Sequence, residues 1–226
     1  IENNNIHVVN AHHFISLVYS YYGCKMKNYI KLIYTEHSEW EIEKISWKWK
    51  KIGSYLLKHV DGTVGVSSKV AKLIQERFKI YRNRPVTIQN GVDLQTFSNN
   101  IDNKANIRRE LGIDDNEKII GIVANFRKIK NHLFLLRAFD KLVKVYENVK
   151  LLLVGEGSKG DIDNTEGEIR EFVCQNGLDQ KVLFLGYRSD VSALLGIMDV
   201  FCLTSFKEGL PISLIVALAS GLPVEG

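Results

Sequence analysis

The chain has 226 residues, enough for one large hydrophobic core or two small ones. Its 45% apolar and 25% charged residues are ordinary for a soluble globular protein, and its net charge of +4 suits an anionic ligand but is too small and scattered to indicate nucleic acid binding. Three widely spaced cysteines, at positions 24, 174 and 202, favour reduced thiols in a cytosolic protein, and the lack of 18 consecutive apolar residues excludes a membrane-spanning helix.

The first half of the chain alternates between short apolar runs and amphipathic segments. Strands are predicted at residues 7–9, 30–34, 63–66 and 84–88. Residues 39–59 predict a helix with lysines on one face and apolar side chains on the other, namely Ile45, Trp49, Ile52 and Leu56. We expect this helix to pack on its own sheet, and contact with anionic lipid is the alternative. Ser67 is the expected N-cap of the next helix.

A turn and an irregular stretch divide the chain. Asn90 and Gly91 form a turn dipeptide, and the residues from there to about 106 are polar without periodicity. Such a stretch is a natural boundary between domains, which we place at residues 1–91 and 92–226.

The second half has a clearer rhythm. Strands are predicted at residues 118–124, 149–154, 182–185 and 200–203. Helices are predicted at residues 132–146, 166–176 and 191–198, and from Pro211 to Gly221. Runs that are apolar on both faces, separated by amphipathic helices, indicate a parallel sheet covered on both sides. Both halves are therefore predicted to be α/β and doubly wound, in the manner of Rossmann-like domains.

Two loops follow strands of the second half. In residues 204–224, TSFKEGLPISLIVALASGLPV, a strand ends, Glu208 and Gly209 follow, and a helix begins. Helix N-termini at the carboxyl edge of a parallel sheet bind anions, and a carboxylate beside them can accept hydrogen bonds from hydroxyl groups. Together they suit a phosphorylated polyol such as a nucleotide sugar. A plain turn with a solvated glutamate is an equal alternative.

The second loop, ANFRKIKNH at residues 124–132, is basic. Arg127, Lys128 and Lys130 come directly after a predicted strand, where they suit a phosphate group. A basic solvated turn is the alternative. Two loops suited to anions on one sheet edge favour a ligand.

Six motifs in order carry a family resemblance: VSSKVAKLI, IQNGVDLQTF, VANFRKIKNHLFLLRAF, LLLVGEG, VLFLGYRSDV and TSFKEGLP. From about Tyr34 to its end, the chain resembles the family 4 retaining glycosyltransferases, which have the two-domain GT-B fold. That fold consists of two Rossmann-like domains, and we expect both to be incomplete here. The family begins with a strand, a glycine-rich loop and a helix before the point matching Ile6, and it continues beyond Val224, so the resemblance implies a chain cut short at both ends.

The resemblance implies a role for each matching residue. Glu208 would hold a hydroxyl group of the donor sugar, and His37 would face the reacting sugar. Three groups would bind the nucleotide: the diphosphate turn Gly209, Leu210 and Pro211, the diphosphate cations Arg127 and Lys130, and the nucleobase residues Tyr187, Arg188 and Asp190. Because cations would neutralise the leaving group, no metal and no other cofactor is expected.

One position departs from the family. The glutamate that grips the ribose should fall at residue 216, where this chain has Val216, so the ribose-binding residue is unknown. Lost charge-assisted hydrogen bonds are worth about 1.5–3 kcal/mol each. His12 and His13 follow a strand, and either the acceptor side or ordinary packing explains them.

The sequence thus predicts a hexosyltransferase that uses a nucleoside-diphosphate sugar with retention. The acceptor would be a saccharide or a lipid-linked molecule in polysaccharide or glycolipid assembly of the bacterial type. We expect a cytoplasmic protein, with peripheral contact at the inner face of the membrane as an option and no nucleic acid partner. The alternatives are a non-catalytic remnant that binds nucleotide weakly and a sugar-nucleotide epimerase of the same fold.

Overall fold

A computed structural model describes residues 5–27, 29–98 and 104–226. Contacts group the chain into two compact units. The first unit is Ile1–Asn90 together with Lys207–Leu210, and the second is Gly91–Phe206 together with Pro211–Gly226.

In the part of the chain that the structure describes, the first unit is a parallel sheet of four strands with four helices. Its strands are β1 (Val8–His12), β2 (Lys31–Glu36), β3 (Gly62–Gly65) and β4 (Val86–Thr87), paired in that order. Its helices are α1 (Phe14–Lys25), α2 (Glu39–Lys44), α3 (Trp47–Leu56) and α4 (Ser68–Phe78). The predicted strands at residues 7–9, 30–34, 63–66 and 84–88 overlap these four strands.

Serine caps start two of these helices. The Ser67 hydroxyl accepts a hydrogen bond from the Val70 amide at 3.2 Å, as expected for the N-cap of α4. Ser38 caps α2 in the same way, accepting from the Glu41 amide at 3.3 Å. α4 then buries Val70, Ala71, Ile74 and Phe78 against the sheet.

The single helix predicted over residues 39–59 is two helices. The chain leaves the helical conformation at Ile45, whose φ of −56° and ψ of 123° end α2. α3 buries Gly53 and Leu56, and Gly53 lies against the Phe14 ring of α1 and the Phe78 ring of α4, so the packing seen for this helix is against two other helices. However, Trp49 and Ile52 of the predicted apolar face are 42% and 39% exposed. The predicted apolar face is therefore buried only in part.

The second unit is a parallel sheet of five strands in the order β7-β6-β5-β8-β9. Its elements in chain order are α5 (Leu94–Ser98), α6 (Lys104–Glu110), β5 (Lys118–Val123), a 3-10 helix (Lys128–Lys130), α7 (His132–Val143), β6 (Val149–Val154), α8 (Glu166–Gln175), β7 (Val182–Gly186), α9 (Val191–Ile197), β8 (Val200–Cys202), α10 (Ile212–Ala219) and β9 (Val224–Glu225). Short α5 and α6 occupy the stretch predicted to be irregular.

The central strands of the second unit are buried on both faces. Leu151, Leu152 and Leu153 of β6 are all 0% exposed, although successive side chains point to opposite faces. Gly177, with φ of 63°, follows α8 in the left-handed conformation that glycine adopts readily. Pro211 is the N-cap residue of α10 rather than its first helical residue. Among the described residues, no helix is long and apolar enough to cross a membrane.

Candidate functional site

Three histidines gather at the carboxyl ends of β1 and β2. The parallel register sets His12 opposite Thr35, so His13 and His37, which come soon after the paired residues, emerge at the same edge of the sheet. Nδ1 of His12 lies 2.7 Å from Nε2 of His37, and their rings stack with centroids 5.0 Å apart. The His13 ring lies 5.3 Å from the His37 ring. His37, the residue that the family resemblance places at the reacting sugar, thus belongs to a cluster of imidazoles.

A buried carboxylate, Glu36, organises this cluster. Its Oε1 accepts hydrogen bonds from the backbone amides of His37 at 2.8 Å and Ser38 at 2.9 Å. Its Oε2 accepts a hydrogen bond from the Tyr34 hydroxyl. Glu36 is 0% exposed, and such a buried carboxylate is stable only with partners of this kind. The carboxylate therefore fixes the backbone that carries His37.

His13 is held as an imidazolium by two carboxylates. Its Nδ1 lies 3.5 Å from Oε1 of Glu36 and 3.3 Å from Oε2 of Glu41. Hydrogen bonding to Glu36, and then to Glu41, raises the pKa of His13 to about 10. Burial lowers the pKa of His37, and the neighbouring His13 and His12 lower it further. His13 is therefore charged at neutral pH, whereas His37 is neutral.

The same group of side chains has the geometry of a cation site. Within the described ranges of the chain, the ligand atoms of His13, Glu36 and Glu41 all lie within 4.8 Å of one another. A metal requires the unprotonated imidazole nitrogen, however, and the two carboxylates that would bind the ion stabilise the proton there. The geometry thus favours a proton, and the expected independence from metal stays a prediction.

The Glu208 loop joins the histidine cluster. Residues Lys207–Leu210 belong by their contacts to the first unit, although the sequence places them in the second domain. A Cβ atom on Gly209 would lie 2.0 Å from the carbonyl oxygen of His37, so only glycine fits there. The Leu210 side chain packs against the core of the first unit, and its carbonyl oxygen accepts a hydrogen bond from Nδ2 of Asn90 at 3.1 Å. Glu208 is thereby carried in a loop that lies against His37.

In the second unit, Arg127 follows β5 as predicted but is already paired. Its Nε lies 2.9 Å from Oδ2 of Asp161, and its Nη2 lies 3.5 Å from Oδ2 of Asp163. These aspartates form an Asp-x-Asp sequence that the sequence reasoning overlooked, although the spacing was readable. A diphosphate bound by Arg127 would have to compete with both carboxylates.

Lys130 ends the short 3-10 helix that precedes α7. Its carbonyl oxygen accepts a hydrogen bond from the Thr204 hydroxyl at 3.2 Å, which ties the basic loop to the segment after β8. His132, the first residue of α7, is 1% exposed, and neither ring nitrogen has a hydrogen-bond partner among the described residues. Burial, aided by the charge of Lys130, lowers the pKa of His132 to about 4. The two loops of the second unit therefore meet beside a neutral histidine.

The three predicted nucleobase residues follow β7. Tyr187 is exposed. Arg188 donates two hydrogen bonds, of 2.7 Å and 2.6 Å, to the carboxylate of Asp190. A third bond, 3.1 Å long, joins Arg188 to Glu110 of α6. Both oxygens of Asp190 are thus occupied, and its pKa is lowered by the hydrogen bonds from Arg188. Arg188 and Asp190 form a structural clamp, a role that sequence reasoning missed, and Tyr187 remains accessible.

Val216, at the place of the expected ribose-binding glutamate, faces the protein interior. It is 6% exposed and lies in the apolar core of the second unit, with Ala217 beside it in sequence and also buried. Its side chain therefore packs where a carboxylate would find no water.

Comparisons with known proteins identify two family matches. The family described as "Glycosyl transferases group 1" matches residues 103–224, and "Glycosyltransferase Family 4" matches residues 1–96. EpsF of Bacillus subtilis, provisionally named a glycosyltransferase, is 38% identical over 142 residues, which cover 63% of this chain and 35% of EpsF. N-acetyl-alpha-D-glucosaminyl L-malate synthase of Bacillus anthracis is 35% identical over 141 residues, covering 59% of this chain and 35% of the synthase.

Solved structures share the fold. The crystal structure of Anabaena Alr3699/HepE in complex with UDP and glucose superposes with a TM-score of 0.85 at 21% identity, over 96% of this chain and 58% of that protein. The alignments with the two curated relatives span about a third of the length of each relative. At this identity the structural match concerns the fold alone, and it confirms the GT-B type predicted from the sequence.

Proposed function

The chain belongs to the glycosyl transferases group 1 family, and we propose that it takes part in the transfer of a hexosyl group from a nucleoside-diphosphate sugar with retention. In this reaction the bond between the anomeric carbon and the diphosphate oxygen breaks. A bond from that carbon to an acceptor hydroxyl oxygen replaces it, and the hydroxyl proton is released. The acceptor would be a saccharide or a lipid-linked molecule, used on the cytoplasmic side of a membrane.

One observation carries this proposal: Gly209 packs directly against the carbonyl oxygen of His37. The close approach brings the two loops that hold the proposed sugar-contacting residues, Glu208 and His37, into one unit. Glu208 would accept a hydrogen bond from a hydroxyl group of the donor sugar. His37, being neutral, would accept or donate one hydrogen bond without repelling the positive charge that develops on the sugar in the transition state.

A second set of residues would contact the nucleotide. Arg127 and Lys130 would neutralise the charge that builds on the leaving diphosphate, which contributes directly to the rate of transfer. The exposed ring of Tyr187 would lie against the nucleobase. The backbone of Gly209, Leu210 and Pro211 would pass close to the diphosphate.

Calorimetry with UDP and GDP tests the nucleotide assignment. We expect Arg127→Ala with Lys130→Ala to weaken nucleotide affinity by roughly 100-fold or more, because each charged hydrogen bond is worth about 1.5–3 kcal/mol. Arg137→Ala with Lys141→Ala removes the same charge from exposed positions of α7 and should leave the affinity unchanged. Equal affinity of all three proteins for nucleotide would remove the diphosphate assignment.

A second candidate function is a remnant that binds nucleotide weakly without transferring sugar. It is favoured by the burial of Val216 in the apolar core and by the pairing of Arg127 with two aspartates. An assay that follows both the loss of donor sugar and the appearance of glycosylated acceptor separates the candidates. Donor consumption without an acceptor product would instead indicate an epimerase or a hydrolase.

A further inference from the structure

Helix α1 is apolar on two opposite sides. One side packs on the sheet through Phe14, Leu17, Tyr21 and Cys24. The opposite side is exposed to solvent and carries Ile15, Tyr19, Tyr22 and Met26, which are 57%, 77%, 64% and 84% exposed. Their spacing of four, three and four residues places them on one stripe of the helix. A surface helix normally carries polar residues there, so the stripe requires an explanation.

Helix α3 lies beside α1 and extends this apolar surface. The Phe14 ring is 6.0 Å from the Trp49 ring, and the Tyr21 ring is 6.2 Å from the Tyr55 ring. On the outer side of α3, Trp47 and Tyr55 are 64% and 52% exposed. Two neighbouring helices therefore present aromatic side chains to solvent.

Lysines surround these aromatic residues. Nζ of Lys51 lies 5.1 Å from the centre of the Trp47 ring and Nζ of Lys48 lies 5.7 Å from it, while Lys25 and Lys58 are exposed near the ends of the two helices. The charge of the whole chain is also divided unevenly. Residues 1–90 carry 14 Lys and Arg against 7 Asp and Glu, whereas residues 91–226 carry 16 against 19. The net positive charge thus belongs to the half that carries the aromatic surface.

We propose that this surface, the α1–α3 face, binds an anionic lipid bilayer. It comprises Ile15, Tyr19, Tyr22, Met26, Trp47 and Tyr55, with Lys25, Lys48, Lys51 and Lys58 around them. Tyrosine and tryptophan prefer the interface between lipid and water, and lysines bind anionic headgroups from the same depth. The face lies on the bilayer and does not cross it.

The lysines argue against a second protein as the occupant. Lysine is depleted in the centres of protein interfaces, and pairing two copies of the face would bring like charges together. An anionic bilayer meets both the apolar and the basic part of the face. The proposal deepens the proposed function, since a bilayer would supply a lipid-linked acceptor, but bilayer binding itself requires neither donor nor acceptor.

Vesicle flotation with this chain is the test. Vesicles of phosphatidylcholine alone are compared with vesicles containing 30% phosphatidylglycerol, in roughly 0.1 M salt. We expect partition into the anionic vesicles only. Lys48→Glu with Lys51→Glu should reduce the partition coefficient by roughly 25-fold or more, at about fivefold for each lysine. Ile15→Ser with Tyr22→Ser should reduce it roughly tenfold through lost apolar insertion.

Matched controls come from the second unit. Lys104→Glu with Lys159→Glu changes the net charge equally at exposed positions, and Val145→Ser with Tyr146→Ser removes exposed apolar side chains. Both controls should float like the parent chain, and circular dichroism verifies that each variant is folded. Three outcomes would overturn the proposal: no flotation of the parent chain, equal losses in the controls, or a dimer in light scattering that the α1–α3 variants dissociate. Nucleotide calorimetry on the same proteins distinguishes a failure of bilayer binding from a failure of the proposed sugar transfer.

Discussion

At the scale of single residues, Val216 is a position where a charged substitution should lower the stability of the second unit. Its side chain lies in the apolar core on α10 and is 6% exposed. Glutamate at this position would carry its carboxylate from water into that apolar core. We expect Val216→Glu to lower the free energy of unfolding by about 2–4 kcal/mol without tightening nucleotide binding. Urea denaturation and calorimetry with UDP measure the two effects on the same protein.

Leu218→Glu is the matched control for this substitution. Leu218 lies on the same helix but is 55% exposed, so a carboxylate there stays hydrated and stability should change by less than about 0.5 kcal/mol. Tighter nucleotide binding by Val216→Glu at unchanged stability would mean that the side chain reaches the ribose and that its packing is not essential.

His13 makes the stability of the first unit depend on pH. Its pKa is about 10 in the folded chain and about 6.5 in an unfolded one. The contribution of the imidazolium to stability is therefore complete below about pH 6.5 and is lost as the pH rises to about 10. We expect the difference in unfolding free energy between the parent chain and His13→Asn to shrink across that window. Urea denaturation at half-unit pH intervals measures it.

Glu36, Glu41 and His37 face His13, and none of them is changed in that comparison. His59→Asn is the control, since His59 is an exposed histidine whose Nδ1 lies 2.7 Å from the Tyr55 carbonyl oxygen. The difference in unfolding free energy between the parent chain and His59→Asn should not show the pH dependence expected for His13→Asn. If the difference in unfolding free energy between the parent chain and His13→Asn stays constant from about pH 6.5 to about pH 10, His13 is not held as an imidazolium.

At the scale of elements, substituting alanine for two helical glycines should change the stability of the chain in opposite directions. A Cβ atom on Gly53 of α3 would lie 2.4 Å from the Phe78 ring and 2.7 Å from the Phe14 ring, whereas one on Gly23 of α1 would meet nothing within 4 Å. We expect Gly53→Ala to destabilise the chain by about 1–3 kcal/mol through overpacking. Gly23→Ala should stabilise it by about 0.5–1 kcal/mol, because alanine restricts the unfolded chain.

Thermal unfolding of both glycine variants, with chemical denaturation for the free energies, gives the comparison. The two substitutions serve as each other's control, since the chemical change is identical and only the surroundings differ. If both variants moved the midpoint in the same direction, α3 would not pack between Phe14 and Phe78 as described.

Elements were predictable from sequence where both faces of a strand are buried. The run at residues 149–154 coincides with β6, because leucine and valine fill both sides of a central strand. The break at Ile45 was not readable, since it depends on how α2 and α3 pack and both flanking segments favour a helix. β4, a two-residue strand with exposed side chains, carries too little pattern to give its bounds.

The residues of the candidate site could likewise be predicted from the sequence only in part. The loops carrying Glu208, His37 and Arg127 were predictable, since they follow strands and match family motifs. The partners of these residues were not, because Asp161 lies far from Arg127 in sequence and the ion pair forms only through folding. That Gly209 contacts the His37 carbonyl also depends on the tertiary fold alone.

At the scale of the whole molecule, we expect nucleotide binding to be independent of divalent metal. Arg127 and Lys130 are the residues proposed to neutralise the diphosphate, and the one cluster among the described residues with the geometry of a cation site, at His13, stabilises a proton. Calorimetry with UDP in EDTA and in Mg²⁺ should give the same affinity. A loss of binding in EDTA that Mg²⁺ restores would instead implicate the carboxylates of Asp161 and Asp163.

Every strand pair that the structure describes in the two sheets is parallel. β5 lies at the centre of its sheet, yet its partner on one side is β8, which begins only at Val200. A tight hairpin cannot join two parallel strands, so β5 and β8 can pair only after the long segment between them has been made. During synthesis, one edge of β5 has no strand to pair with until Val200 has left the ribosome. Ile119 and Ile122 of this strand are fully buried in the finished fold. Unpaired strand edges of this kind can pair with strands of other chains, so the nascent chain is exposed to aggregation during that interval.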